Sequence, residues 1–331
     1  MKDIAKACGV SVATVSKALN DQKDIGAETK TFIRTKAKEM GYLPNSSARA
    51  LKTNRTYNIG VLFADTSQSG LTHDFFSAIL DSFKRCVEAA GYDITFVNAG
   101  AGRSMSYLNH CRYRGFDGIV VACVDFDDEQ VIELMQSSIP LVTIDYVFDG
   151  KTSIVSDNAR GMRELLTYVY NCGHRRIAYI HGLESAVTES RLESFFDTAK
   201  ALGLDIPKEY IGEAPYRSTD GTEKMTQKLL ELDNPPTCIL YPDDFSSFGG
   251  MNAIRQKNLR IPEDISIAGY DGLRIGRHID PELTTLRQDT EAIGAQAAAK
   301  LIELIENPSA GAERVVIEGH VYEGGTVKKI V

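Results

Sequence analysis

The side chains able to do chemistry in this 331-residue chain gather just after short apolar runs. Asp65 and the loop Thr72-His73-Asp74-Phe75-Phe76 follow the run Ile59-Gly60-Val61-Leu62-Phe63, and Asp125 follows Gly118-Ile119-Val120-Val121-Ala122. Asp145-Tyr146, Arg191, Tyr216, Asp243-Asp244-Phe245 and Asp271 hold comparable places further along. Carboxylates and a guanidinium make paired hydrogen bonds to vicinal hydroxyls, and aromatic faces cover the C–H face of a ring, so this mixture suits a sugar or a nucleoside. Each residue also has a plainer reading. A strand-end aspartate can be a helix cap, a ring near a cleft can be core, and a lone histidine such as His73 is commonly a surface or cap residue.

Signals for other chemistry fail. Gly100-Ala101-Gly102-Arg103-Ser104-Met105 follows a strand but lacks the third glycine of a dinucleotide loop, and neither G-x-x-x-x-G-K-[ST] nor G-x-S-x-G occurs. The histidines form no H-x-x-x-H pair and the cysteines no C-x-x-C pair, which speaks against a metal site and against a disulfide framework. No catalytic residue, cofactor or metal is expected, and the chain is not read as an enzyme.

A different chemistry occupies residues 1–55, with 11 Lys and Arg against 5 Asp and Glu, while the remainder has 26 against 40. A basic module on an acidic body suits a polyanion, because each lysine or arginine docked on a phosphate releases condensed counterions. Ile4, Ala5 and Cys8 fall at helical spacing, and Gly9 stops that helix. Ser11 stands where an N-cap is wanted, ahead of a second short helix that ends at Asn20-Asp21. Two such helices across a Gly-containing turn make a helix-turn-helix, with Ile4, Cys8, Val10, Val15 and Leu19 inward and Val12, Ala13, Ser16 and Lys17 outward. A third helix is predicted from about Ala27 to Met40, burying Phe32, Ile33, Ala37 and Met40. The stretch Asn45–Lys52 can be helical from an Asn45 cap, but it is shorter than the ~12–15 residues an isolated helix needs and alone reads as a polar linker.

Ile4-Ala5, Gly9-Val10-Ser11, Thr14-Val15-Ser16 and Leu19-Asn20, then Gly41-Tyr42-Leu43-Pro44-Asn45, then Ala48 and Leu51, resemble the headpiece and hinge of the lactose-repressor (LacI/GalR) family. The similarity runs over essentially the whole chain. It implies a sequence-specific DNA-binding transcriptional regulator, a repressor of carbohydrate-utilisation genes whose operator affinity is set by a small sugar-like effector. It further implies that Val12, Ala13 and Lys17 read bases, with Ser11, Thr14, Ser16 and Asn45 beside them at the DNA. Ala48 and Leu51 match hinge residues that enter the minor groove at a central CG step. An apolar wedge of that kind offsets unstacking by bending DNA onto more protein, and a lysine can donate to guanine O6 and N7. For the effector, the resemblance implies Arg191 in Ser190–Phe195, Asp244 in Tyr241–Phe245, Tyr216 as an aromatic platform, Phe75 and Phe76 as a first-lobe pair, and Gln288 on the last cleft loop. Asp65, His73 and Tyr146 join this set from the strand-end pattern. Relatives usually carry a Thr or Ser cap and an apolar staple ahead of the stretch matching Lys2-Asp3, where this chain begins. Helix one is therefore expected to lack its cap, which leaves either a weakened headpiece or a true start upstream of Met1.

The elements that must position these residues alternate short apolar runs with helical patterns from Tyr57 onward, resuming at Arg176–Ile180, Cys238–Tyr241 and Ile265–Gly269. This is βαβ repetition in two parallel-sheet lobes, with ligands expected beyond the carboxyl ends of the strands. The fold class is an all-α helix-turn-helix headpiece with a hinge helix, followed by an α/β body of two lobes, periplasmic-binding-protein-like by the same resemblance. The predicted boundaries are 1–44 for the headpiece, 45–56 for the hinge and 57–331 for the effector-binding and dimerisation domain. At 43 % hydrophobic residues the body can bury real cores, yet the longest apolar stretches fall short of the ~18 residues of a membrane span. The charged first residues are unlike a signal peptide, so a cytoplasmic location is expected. A transporter's solute-binding protein shares such a body but not a basic headpiece. The expected partners are a near-palindromic duplex with a central CG step, a small carbohydrate or nucleoside, and a second copy of the chain, since the two-fold logic of such operators calls for a dimer. The absence of a leucine-heptad tail after Gly324–Val331 favours a dimer over a tetramer.

Overall fold

The computed structural model describes residues 1–42, 50, 55–64, 70–98 and 105–330, and its contacts divide into two units, Met1–Tyr57 and Asn58–Val331. Asn45, Ala48, Leu51 and Asp65 lie outside the described residues, as does all of the predicted 45–56 hinge except residues 50, 55 and 56.

In the first unit, α1 (Lys2–Cys8) ends at Gly9, whose φ of 67° is the left-handed conformation that favours glycine. Met1 stands at its N-cap with no side-chain cap bond. α2 (Val12–Leu19) starts where the Ser11 hydroxyl accepts the Thr14 N–H at 3.0 Å, satisfying one of the helix's free donors. α3 (Ala27–Glu39) closes the group. Ile4, Ala5, Val15, Ala18, Ile33 and Ala37 form its core, with Cys8, Val10 and Leu19 packed at the edge. Two residues depart from the expectation: Phe32 is 54 % exposed and Met40 43 % exposed. Ile33 and Ala37 sit four apart on one stripe, and the 3.6-residue turn carries Phe32 about 100° round from them.

The second unit is built from β1 (Asn58–Phe63), α4 (Asp74–Ala89), β2 (Asp93–Val97), α5 (Tyr107–Arg114), β3 (Gly118–Ala122), α6 (Glu129–Met135), β4 (Leu141–Ile144) and β5 (Thr152–Ser156). There follow α7 (Asn158–Asn171), β6 (Ile177–His181), α8 (Ala186–Ala201), β7 (Ile211–Glu213), α9 (Thr219–Leu230), β8 (Cys238–Leu240), α10 (Asp244–Gln256), β9 (Ser266–Asp271) and β10 (Thr285–Arg287). The chain ends with α11 (Thr290–Glu306), β11 (Arg314–Ile317) and β12 (His320–Tyr322). One sheet has the order β11-β5-β4-β3-β1-β2 and is parallel throughout; the other has the order β12-β10-β9-β8-β6-β7, with β12 alone antiparallel. Strands such as Ile119-Val120-Val121 are buried on both faces because helices cover both sides of a parallel sheet, hence their unbroken apolar runs.

The sheet orders require the chain to pass between lobes after β5, after β10 and after β11. On the second passage α11 returns to the first lobe and lies against α4. Gly294 permits this approach, since a Cβ there would stand 2.4 Å from the Ile79 carbonyl oxygen. The Ser82 hydroxyl donates to the Glu291 carbonyl at 2.8 Å. Residues beyond the carboxyl ends of the two sheets meet: Arg217, after β7, reaches Asp74, beyond β1, at 3.2 Å.

Candidate functional site

On the first unit, α2 presents Val12, Ala13 and Lys17 exposed on one face, with Ser11 exposed at its cap and Thr14 and Ser16 half-buried. Ser11 and Thr14 are spent partly on each other, their hydroxyls 2.9 Å apart. The Lys17 ammonium pairs with Asp24 and remains accessible. Lys30 and Arg34 both pair with Asp21, which the two cations hold below the ordinary carboxylate range. The face thus has a small apolar patch and one exposed cation, paired with Asp24.

On the second unit, the site grows from Arg191 on α8, which is 4 % exposed. Its Nε donates to Asn158 Oδ1 at 2.8 Å and its Nη1 to the Pro242 carbonyl at 3.0 Å. Its guanidinium lies 3.5 Å from the Tyr270 ring centroid, a desolvated cation–π contact. Asp271 ends β9 with φ 109°, a strained conformation for a residue with a Cβ. Burial and the charges of Asp243 and Asp145 push its carboxyl up to about 7, against the pull of Arg191 and of the Gln288 amide, which donates to Oδ1 at 2.7 Å. Asp145, at φ 57° after β4, accepts the Ser156 N–H at 3.0 Å, and burial raises its carboxyl while Arg191 opposes the rise. Around these groups the Tyr270 hydroxyl and Gln288 Oε1 are buried without a hydrogen-bond partner, while the Ser156 hydroxyl lies by the Asp145 carboxyl and favours its ionised form. Buried polar atoms are normally satisfied, so two such orphans beside Arg191 and Asp271 call for a polar ligand or ordered water.

The remaining predicted residues take varied places. Tyr216 is half-buried, its hydroxyl 2.9 Å from Thr188 Oγ1, and its ring fills the space left by Gly182, where a Cβ would come within 2.1 Å. Asp244 is fully buried: Oδ2 accepts the Leu273 N–H and Oδ1 the Thr285 hydroxyl, both at 2.6 Å. Burial, with Asp271 close by, raises its carboxyl well above the ordinary range. It therefore braces the turn that carries Asp271. Phe75 is buried in the first lobe, and Phe76 is half-buried with its ring edge-on to His73 (4.9 Å), Phe75 (5.2 Å) and Phe63 (6.0 Å). Tyr146 stacks on Phe126 at 3.8 Å. Sequence reasoning put Asp145 and Asp271 among strand-end residues without singling them out, and it missed Asn158 and Tyr270. A shared signal for the two aspartates is a sharp left-handed turn at a parallel strand's end, visible in Asp271-Gly272. Asn158, at a helix start, carries no distinguishing pattern.

Among the described residues no cluster of His, Cys, Asp and Glu is arranged to hold a metal, and no helix is long and apolar enough to cross a membrane.

Comparison with known proteins agrees with both halves. Residues 1–45 match bacterial regulatory proteins of the lacI family, and residues 166–327 match a periplasmic binding protein-like domain. The chain is 32 % identical over 320 residues to a probable HTH-type transcriptional repressor ExuR of Bacillus subtilis (strain 168), covering 96 % of this chain and 94 % of that one. It is 33 % identical over 326 residues to the HTH-type transcriptional repressor PurR of Pasteurella multocida (strain Pm70), covering 97 % and 95 %. Among solved structures it is similar to the lac repressor dimer bound to operator and the anti-inducer ONPF, with a TM-score of 0.82 at 23 % identity over 98 % of each chain. It is also similar to a CelR–cellobiose complex, with a TM-score of 0.70 at 21 % identity over 98 % of each chain. At those identities the structural likeness is one of fold.

Proposed function

The chain belongs to the lacI family of bacterial regulatory proteins and is a transcriptional repressor with an N-terminal DNA-binding domain, and on that footing we propose that it represses carbohydrate-utilisation genes under control of a small hydroxyl-rich effector held between its lobes. Residues 1–44 act as the DNA-reading headpiece, 45–56 as the hinge and 57–331 as the effector-binding and dimerising body. The enzyme reading is set aside, because the relatives are repressors.

The observation that carries the effector class is the composition around Arg191. Asp145 and Asp271 lie near enough to one buried guanidinium for the charges to act on each other, beside the unpartnered polar atoms of Tyr270 and Gln288. A ligand there must donate to carboxyl and amide oxygens and also accept from the guanidinium, which hydroxyls do and a multiply charged anion, able only to accept, does not. Tyr216 and the Phe76 group supply faces for the apolar side of a ring. A carbohydrate or nucleoside meets both requirements. Arg191, Asp271 and Gln288 act as ligand groups, and Asp244 acts through the turn it braces.

At the operator, a homodimer places two copies of α2 in successive major grooves of a near-palindrome, with Val12, Ala13 and Lys17 toward the bases and Ser11, Thr14, Ser16 and Asn45 toward the backbone. Ala48 and Leu51 open the central CG step. The test is fluorescence anisotropy of the full chain on a palindromic duplex with a central CG and on its scramble, at one fixed physiological salt concentration. Tighter binding to the palindrome is expected, together with a shift on adding one member of a sugar and nucleoside panel. Preference for the palindrome with no response to any member of the panel would overturn the effector class.

A further inference from the structure

Arg217 precedes α9 on the loop from β7 in the second lobe, and nothing in the ligand site described above uses its side chain. Its backbone has φ 58°, and its N–H donates to Asp243 Oδ2 at 2.9 Å. That aspartate caps α10, accepting the Ser246 N–H at 2.7 Å. The guanidinium stands 4.5 Å from the Phe245 ring centroid, which fixes the direction of the side chain. From there it passes to the first lobe: Nη1 is 3.2 Å from Asp74 Oδ2 and Nη2 donates to the Thr72 carbonyl at 3.2 Å. The Arg217 side chain is only 13 % exposed, whereas that of Asp74 is 55 % exposed. Thr72 and Asp74 flank His73 at the start of α4, and Tyr216 adjoins Arg217.

We infer that Arg217 is an inter-lobe latch, closing the cleft by bridging the second lobe to Thr72 and Asp74 of the first and bringing Tyr216 and the Asp243 turn along with it. Three features separate this from a casual surface pair. The arginine uses both terminal nitrogens on two acceptors, which fixes an orientation rather than a mere proximity. Its guanidinium stands over Phe245 of its own lobe at 4.5 Å, a contact that limits the side-chain freedom lost on closing. Its own backbone amide is tied to the cap of α10, so the latch moves with the platform ring and cannot swing independently. The inference deepens the proposed ligand control of the same cleft, because a ligand wedged beneath Tyr216 either seats or unseats this bridge.

The test runs on the full chain alone, so it does not depend on the effector or operator being correctly identified. Amide hydrogen exchange is followed in the segments 70–77 and 214–219 for the unchanged chain, for Arg217→Gln, for Asp74→Asn and for the double variant. Arg217→Gln is expected to speed exchange in both segments about 5-fold, and Asp74→Asn by less, since the Thr72 carbonyl remains as an acceptor. The double variant is expected to match Arg217→Gln alone, because the two changes break one bridge. Additive effects, or faster exchange confined to 214–219, would show that Arg217 serves only its own loop and would overturn the latch. Should Arg217→Gln fail to fold, the exposed Asp74→Asn variant still decides: a change at 214–219, on the opposite lobe, supports the bridge, and none there removes it. A latch confirmed in this way alongside a failed sugar and nucleoside panel would leave the closure and sink only the effector class.

Discussion

Asp271 holds its proton up to about pH 7 because burial and neighbouring carboxylates outweigh Arg191 and the Gln288 amide. Hydroxyls donating to its oxygens favour the ionised form, so binding expels that proton and tightens as pH rises. For one group with a pKa near 7, affinity is expected to increase about 10-fold from pH 6 to pH 8. Isothermal titration calorimetry in two buffers of different ionisation enthalpy checks both the slope and the released proton. Asp271→Asn should flatten the profile and weaken binding at pH 8; a slope that survives the substitution would place the proton elsewhere. The same shift acts on folding. The carboxyl is raised from 3.8, so its contribution to stability is full below that value and is lost as pH climbs through about 7. Much of this residue-scale picture was hidden in the sequence. Asp243, Asp244 and Asp271 look alike there as acids after strands, yet the first caps α10, the second braces a turn and the third faces the guanidinium. Their separation is set by backbone φ and by Gly269, where a Cβ would lie 2.2 Å from Asp244 Oδ1, and no local pattern announces either. Arg191 stands out in the sequence through its place after β6 and through the resemblance, and the structure adds that its guanidinium is buried against Tyr270.

Elements were more readable, since caps and periodicity are local. Gly9 and Ser11 mark the turn between α1 and α2, and the described bonds realise both signals. The Ser11 cap should contribute about 1 kcal/mol to α2, so Ser11→Ala is expected to speed amide exchange within residues 12–19 while leaving the second unit unchanged. Unaltered exchange there would mean that packing of Val15 and Ala18 alone holds the helix. The error at α3 is instructive in the same way. Apolar residues at 32, 33, 37 and 40 admit more than one buried stripe, and only contact with Ile4, Val15 and Ala18 selects Ile33 and Ala37. The assignment of α11 to the first lobe was out of reach, because an amphipathic pattern carries no address. Gly294, which lets α11 lie close on α4, is the residue that supplies one.

Across the whole molecule, the two charged groups proposed to hold the ligand, Arg191 and Asp271, are both tied to places where the chain passes between lobes. Arg191 bonds to Asn158, which opens α7 immediately after the first passage, and the Asn158 amide donates to the Ser156 carbonyl at 3.3 Å. The Ser156 N–H in turn donates to Asp145 of the first lobe at 3.0 Å. Asp271 bonds to Gln288, which lies on the second passage, through both side chain and backbone. A ligand competing for Arg191 and Asp271 therefore perturbs the bonds that set the angle between lobes. A site is allosteric only through such a difference between states, and a coupling of ~1–3 kcal/mol corresponds to a change in operator affinity of roughly 5- to 150-fold. Removing the guanidinium should erase that difference without touching the headpiece. Arg191→Ala is thus expected to bind operator in the absence of effector as the unchanged chain does, and to show no shift when effector is added. Anisotropy titrations with and without effector separate the outcomes. A retained response would remove Arg191 from the site. A loss of operator binding in both conditions would instead make the Arg191–Asn158 bond a structural requirement of the body, with the ligand acting through Asp271 and Gln288 alone.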